Sequence, residues 1–260
     1  MAYKLVDLSN PQGPMGPRWP HVVVPNSSVI SPDSTLVRVR EHNMGLYGGQ
    51  TRRICSGTLG HDGTHCDSPS HEKEGGQTAS QIPLERCYGT GVIVDMRYMK
   101  KWDNIDAEAF EKATPKIEEG DIVLCNTGWH HYWWKSAYVY HNHYPGLVPS
   151  GTEWLVKKKV KAWGGTCGSL DHPLSYYPME AYYPWRLEEY MKERGKHPHE
   201  DYPTYEPCHH MLCINDILAI ENVGGDIDQV TGKRCTIAAF PARLEGTAGH
   251  QIRVVAIVED

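Results

Sequence analysis

The chain has 260 residues, a formal charge of −6, and 40% hydrophobic and 22% charged residues. That length is ample for a full core in one large or two small domains. The acidic balance removes the electrostatic case for nucleic acid as a partner, and no apolar run approaches the roughly 20 residues that cross a bilayer. The start, MAYKLVDLSN, lacks the apolar region of a secretory signal, so a cytoplasmic protein is expected.

In chain order, YKLVDL alternates like a short strand, and NPQGPMGPRWP (10–20) follows with four prolines, which predicts an extended loop. LVRVREH (37–43) alternates like a half-buried strand. GVIVDM (91–96) and DIVLCNT (121–127) are short apolar runs of buried-strand type. Between them, IDAEAFEKATP predicts an amphipathic helix that stops at Pro115. GTEWLVKKKVKAWG (151–164) reads as a helix with Thr152 as N-cap and Gly164 and Gly165 beyond it.

MEAYYPWRLEEYMKERGK (179–196) is helical in pattern, with Pro184 disturbing its first half. HHMLCIND leads into ILAIENV (217–223), a strand, and the last 26 residues read as two strands joined by a loop. The Tyr- and Pro-rich stretch 172–208 reads as an irregular surface insertion. No repeat or linker divides the chain, so one α/β or α+β domain rich in strands is expected.

The eight cysteines form no CxxC pair, which predicts free, mostly buried thiols. Aromatic usage is lopsided, with 15 Tyr and 8 Trp against 2 Phe. Such side chains suit half-wet pockets and interfaces, although compositional bias would give the same count.

The densest chemistry is HDGTHCDSPSH (61–71), with His61, His65, Asp67 and His71 in eleven positions. His61 and His65 have the i, i+4 spacing of a helical zinc motif, but Gly63 and Pro69 oppose a helix interior. A strand entering a turn puts His65 and Asp67 on one face and lets the turn bring His61 beside them. Three N and O donors with open positions for water describe a catalytic divalent-metal site better than a closed structural one. The alternative is a polar loop with solvated histidines, and the density of four such groups argues against it.

HDGTHCDSPSH resembles the HxGTHxDxPxH signature of the cyclase-type metal-dependent hydrolases, which include bacterial kynurenine formamidases and isatin hydrolases. All seven fixed positions are present. DLSNPQGPMGPRWP is similar to that family's opening, GDIVLCNTGW (120–129) to its GD-strand-TGW segment, and GTCGSLDHP (165–173) to its G-x-D-x-x-S-x-D turn, with Cys167 and Gly168 as departures. His209 and Glu221, twelve apart, resemble its distal His and Glu.

The resemblance implies a barrel-like mixed β core with flanking helices, a swivelling β/β/α single domain over residues 1–260, with 172–208 inserted. It implies that His61, His65 and Asp67 hold a first divalent ion, Zn or Mn. Asp67 would bridge to a second ion held by His209 and Glu221; because single-metal members exist, one or two ions per chain are expected. His71 would be the acid–base residue. The implied reaction is hydrolysis of an amide C–N bond, linear or cyclic, in a small aromatic or cyclic substrate. A homodimer or homotetramer is also implied.

A bound divalent ion would acidify water and polarise a carbonyl, and an imidazole with a pKa near 6.5 suits proton delivery to a leaving amine. Lactone hydrolysis uses the same groups, and a non-catalytic metal-binding module would need no His71. Thr64 either orients a neighbouring side chain or caps the turn. Trp129 and Trp19 read either as a stacking wall for a flat substrate or as core. His130 and His131 read as surface or supporting groups. The 37 residues between Asp171 and His209 exceed the short stretch of the formamidases, so kynurenine does not transfer as the substrate.

Overall fold

The apolar runs expected to be buried strands lie side by side at the centre of a curled sheet. The structure, a computed structural model, describes residues 2–11, 60–61 and 63–259 in full, and the backbone alone of 38–43 and 50–55. The strands are β1 (Tyr3–Asp7), β2 (Arg38–Asn43), β3 (Gln50–Cys55), β4 (His65–Asp67), β5 (Tyr88–Asp95), β6 (Asn104–Ile105), β7 (Ile122–Asn126), β8 (Gly146–Leu147), β9 (Ala162–Gly165), β10 (Leu218–Glu221), β11 (Arg234–Ala238), β12 (Gly249–Gln251) and β13 (Val255–Glu259). The helices are α1 (Ala107–Glu111), α2 (Ala137–Asn142), α3 (Pro149–Lys158), α4 (Pro178–Tyr182), α5 (Trp185–Arg194), α6 (Pro198–Asp201) and α7 (Pro207–Ile214).

Nine strands form one mixed sheet in the order β1-β13-β11-β5-β7-β9-β10-β4-β12. The central β5, β7, β9 and β10 are parallel, and antiparallel strands flank them on both sides. The result is a mixed α/β domain, a curled half-barrel of nine strands with flanking helices.

The central strands are apolar without interruption because both faces are covered. Val92, Val94, Val123, Cys125 and Ala219 point towards a helical layer that includes Phe110, Leu155 and Leu212. Ile93, Ile122, Leu124, Leu218 and Ile220 point to the opposite side, against Val6, Ile237 and Ala256. Truncating a fully buried leucine such as Leu124 to alanine in a layer of this kind costs about 2–5 kcal/mol.

Several elements differ from expectation. The helix expected over 151–164 is shorter and starts earlier, at Pro149, whose missing N–H is no loss in a first turn. Thr152 is therefore inside it and donates its hydroxyl to the Val148 carbonyl. Lys159, at φ 57°, ends the helix, and the following AWGG is strand β9. Gly164 sits there because a Cβ would meet the Ile220 carbonyl oxygen at 2.7 Å. The C-terminal segment forms three strands rather than two, β12 being the addition.

The stretch 172–208 is not irregular. It contains α4, α5 and α6; fully buried Arg186 ties it together by donating to the carbonyls of Pro173 and Tyr176, and docks it by donating to Asn142 Oδ1 of α2. Of the seven cysteines described, all are free and six are buried. Among the described residues no helix is long and apolar enough to cross a membrane.

Candidate metal centre

The geometry starts from strand register. β4 lies between β10 and β12, so His65 stands directly opposite Glu221, and Asp67 opposite Ala219 and Gly249. His65 and Asp67, two apart in extended chain, share one face, and Glu221 shares it from the neighbouring strand. Cys66, between them, faces the opposite apolar layer. The expected strand entering a turn is thus present, with Gly63 at φ 66° in the turn. His61 returns from that turn to place Nδ1 2.7 Å from Asp67 Oδ1. Helix α7 covers the same face and brings in His209, whose Nε2 is 3.0 Å from Glu221 Oε1 and 3.5 Å from Asp67 Oδ2.

His71 completes the group. It ends the short 3-10 turn Pro69–His71 that follows β4, with its ring centroid 4.5 Å from His61 and 5.6 Å from His209. His65, Asp67, His209 and Glu221 are buried, whereas the His61 side chain is 30% exposed and His71 half-buried, which marks the open side of the site.

Three of the donors are oriented from behind. His65 Nδ1 donates to the Gly63 carbonyl at 2.8 Å, which turns Nε2 towards Asp67 and Glu221, at 3.3 and 3.4 Å. His209 Nδ1 donates to Asp171 Oδ2 at 2.7 Å, which leaves Nε2 facing the same two carboxylates. Asp171 also accepts the backbone N–H groups of Cys208 and His209, anchoring the first turn of α7. Glu221 Oε1 accepts from Ser169 Oγ and Leu170 N–H, leaving Oε2 towards His65.

Thr64 ties three segments together. Its hydroxyl accepts the Asn10 N–H at 2.9 Å and donates to the Asn222 carbonyl at 2.7 Å, next to Glu221. Asn222, at φ 56°, accepts the Tyr140 hydroxyl at its side chain.

Such a pocket needs positive charge. Burial alone would disfavour a charged His65, but the Asp67 carboxylate, helped by Glu221, outweighs it and pushes the imidazole up to about 9. Burial likewise opposes a charged His209, yet its bonds to Asp171 and Glu221 and the nearby Asp67 carboxylate hold it well above the ordinary range. Asp67 is held well below the usual carboxylate range, because His61, His65 and His71 overcome the cost of burying it. Burial lowers His71, with Asp67 opposing.

Even so, His65 Nε2 and both oxygens of Asp67 have no aligned hydrogen-bond partner among the described residues. Unpaired polar atoms at this depth cost about 1–3 kcal/mol each unless something satisfies them. Imidazole nitrogens and carboxylate oxygens converging on one space are what a divalent ion of the zinc or manganese type would satisfy. The donor atoms fall into two proximity sets, His61–Asp67–His71 and His65–Asp67–Glu221, with Asp67 in both.

Residues 6–172, more than half of the chain, match the family model described as putative cyclase. The chain belongs to the cyclase family. Over 213 residues this cyclase-family chain is 22% identical to the isatin hydrolase of Roseibium aggregatum, a match that covers 76% of this chain and 72% of that one. Over 113 residues it is 29% identical to the kynurenine formamidase of Erythrobacter litoralis, covering 43% of this chain and about half, 47%, of the formamidase. In fold it is similar to isatin hydrolase A from Ralstonia solanacearum, with a TM-score of 0.71 at 21% identity over 99% of this chain and 92% of that one.

Of the remaining expected site residues, Trp129 is buried in an aromatic cluster with Trp133, Tyr140 and Tyr144, and its indole donates to the Val139 carbonyl. Trp19 lies outside the described residues. Three residues at the site were not singled out from the sequence as site residues. Asp171 stands in the GTCGSLDHP turn, but nothing local tied it to His209. Ser169 bonds Glu221 from the same turn. Gly249 packs under His61 and carried no local signal.

Proposed function

We propose that this chain is a metal-dependent amidohydrolase. It cleaves the amide C–N bond of a small aromatic or cyclic substrate, with one or two ions of Zn or Mn held by His61, His65, Asp67, His209 and Glu221. The observation that carries the reading is the set of buried donor atoms of His65 and Asp67 that no aligned hydrogen bond satisfies, converging with three further imidazoles and Glu221 at a site open on one side. The relatives named as a formamidase and an isatin hydrolase support amide hydrolysis as the reaction class.

A divalent ion bound there would polarise the scissile carbonyl and acidify a water molecule. The chain supplies the rest. Gly63 and Asp171 fix the tautomers of His65 and His209, so that each presents Nε2 to the site. Ser169 and the Leu170 N–H fix Glu221. His71, half-buried at the open side, takes a proton from the attacking water and returns it to the departing amine nitrogen. Its ring is within reach of His61 and Asp67, and the reading assigns it proton transfer rather than ion binding.

The experiment is a turnover screen of the Zn- and Mn-loaded chain against N-formyl aromatic amines, isatin-like cyclic amides and aromatic lactones. Amide turnover above lactone turnover is expected. Exclusive lactone turnover would replace amide by ester chemistry, and no turnover of any class with metal bound would end the hydrolase reading.

A further inference from the structure

A second set of imidazole and carboxylate donors gathers away from Asp67 and shares no residue with that site. His130 and His131 lie on the 3-10 turn Trp129–Tyr132, and Asp228 on the turn Ile227–Gln229. His131 Nε2 is 3.1 Å, and His130 Nε2 3.5 Å, from the same oxygen, Asp228 Oδ2. One donor atom from each residue lies within 4.8 Å of the other two.

The carboxylate is oriented for this. Its other oxygen, Oδ1, accepts from Asn126 Nδ2 at 2.8 Å and from Arg97 at 3.5 Å, which leaves Oδ2 to the imidazoles. The His130 side chain is 6% exposed and turns Nε2 towards Asp228 Oδ2. Arg97 is the opposing charge, but it is paired with Asp95 through two bonds, at 2.9 and 2.6 Å, so two carboxylates face one guanidinium.

We propose that His130, His131 and Asp228 form a separate site for a divalent transition ion, clamping the 129–132 turn to the 227–229 turn. Two imidazoles and one carboxylate favour zinc, nickel or copper over magnesium or calcium, which prefer all-oxygen shells. His131 and Asp228 are exposed enough to leave water a coordination position. The competing arrangement is a proton in place of the ion, with His131 as an imidazolium paired to Asp228.

The test uses the full chain carrying Asp67→Asn, which removes the carboxylate common to both donor sets of the first site. Zinc is added equimolar with protein, excess is removed by gel filtration, and bound zinc is counted by elemental analysis. The D67N chain is expected to keep one zinc, and D67N combined with His131→Gln or Asp228→Asn to keep none. Independently, zinc added to the D67N chain is expected to shift the His130 and His131 imidazole resonances in NMR spectra. Equal zinc counts with and without His131, no zinc on the D67N chain, or unmoved resonances at both histidines would overturn the site. Since His131 is mostly exposed, a folding failure is not expected to confuse the count. The outcome is also independent of whether the first site hydrolyses amides.

Discussion

His65 and Glu221 face each other directly across the antiparallel pair β4–β10, with Nε2 3.4 Å from Oε2. Pairing of this kind is set by backbone register, so neither side chain needs a long excursion to meet the other. Asp67 follows two positions later on the same face and contributes to both proximity sets of donors. Replacing Asp67 by Asn keeps the shape and removes the charge. We expect metal affinity to fall by at least about 100-fold, as for the stronger losses seen when groups supporting a metal site are removed. In the metal-free protein, the His65 pKa should drop from about 9, since Asp67 is the main influence raising it against burial. Isothermal titration with zinc and an NMR titration of the imidazoles check the two outcomes. Unchanged zinc binding would contradict the assignment of Asp67.

Much of this site was legible because it follows the period of a strand. His65 and Asp67 read as same-face residues from their spacing, and Gly63 read as the turn that returns His61. The tie between Asp171 and His209 was not legible, because 37 residues of intervening chain hide a contact made only by folding. The length of α3 was misread because the apolar residues of strand β9 continue its spacing, and only the left-handed Lys159 separates the two. Within 172–208 the helical pattern of 179–196 is legible and forms most of α4 and all of α5, parted at Pro184, whereas α6 is hidden because its Pro198 begins the helix instead of breaking it.

Asp171 acts through His209. Its Oδ2 accepts from Nδ1 at 2.7 Å, and the carboxylate also receives two backbone N–H groups of α7. Asp171→Asn keeps an acceptor for the helix but weakens the hold on the imidazole tautomer. The expected result is a loss of about 10- to 100-fold in metal affinity, with a small change in melting temperature of the metal-free chain. Elemental analysis at limiting zinc, set beside a thermal melt, separates positioning from folding. A large melting shift with intact metal binding would assign Asp171 to the fold alone.

Gly249 gives the site a requirement from the far end of the chain. It pairs with Asp67 across β12–β4, and a Cβ there would come within 2.5 Å of His61 Cε1. β12 is hydrogen-bonded along one side to β4, and the His61 ring is the end of a rotatable side chain, so the imidazole is the part that yields. Gly249→Ala is expected to move His61 off Asp67 Oδ1 and weaken metal binding about 10-fold or more, while leaving the fold in place. Circular dichroism together with zinc titration decides it. Wild-type affinity in this variant would show that His61 is dispensable.

His71 distinguishes a proton carrier from a ligand. Its ring lies beside His61, and its donor atom falls in the same proximity set as Asp67. If it moves protons, His71→Ala should lower kcat by about 100- to 10,000-fold, the usual span for a general acid–base group. The variant should still carry the wild-type number of ions. Loss of an equivalent of metal would make His71 a ligand. Full activity with full metal would remove it from the reaction and favour a module that only binds the ion.

His172 predicts how acid unfolds the protein. It is buried and stacks on Tyr202 with centroids 3.8 Å apart. Its Nδ1 accepts the Leu174 N–H at 3.3 Å, so the ring is the neutral tautomer with its proton on Nε2, 3.3 Å from the Trp102 carbonyl. Burial pushes its pKa down to about 3. In the unfolded chain the same imidazole titrates near 6.5. Between those values the unfolded state binds a proton that the fold refuses, so this contribution to stability is complete above about 6.5 and is lost as pH falls towards about 3, at about 1.4 kcal/mol per pH unit inside the window. His65 and His209 titrate with the opposite sign, so the test is a difference. His172→Asn keeps an acceptor for Leu174 and removes the titration. The stability of wild type minus variant, from urea unfolding at stepped pH, should be level above about 6.5 and shrink below it. A difference that does not change with pH would mean that the folded protein admits the proton, and that the ring is less enclosed than its stacking on Tyr202 implies.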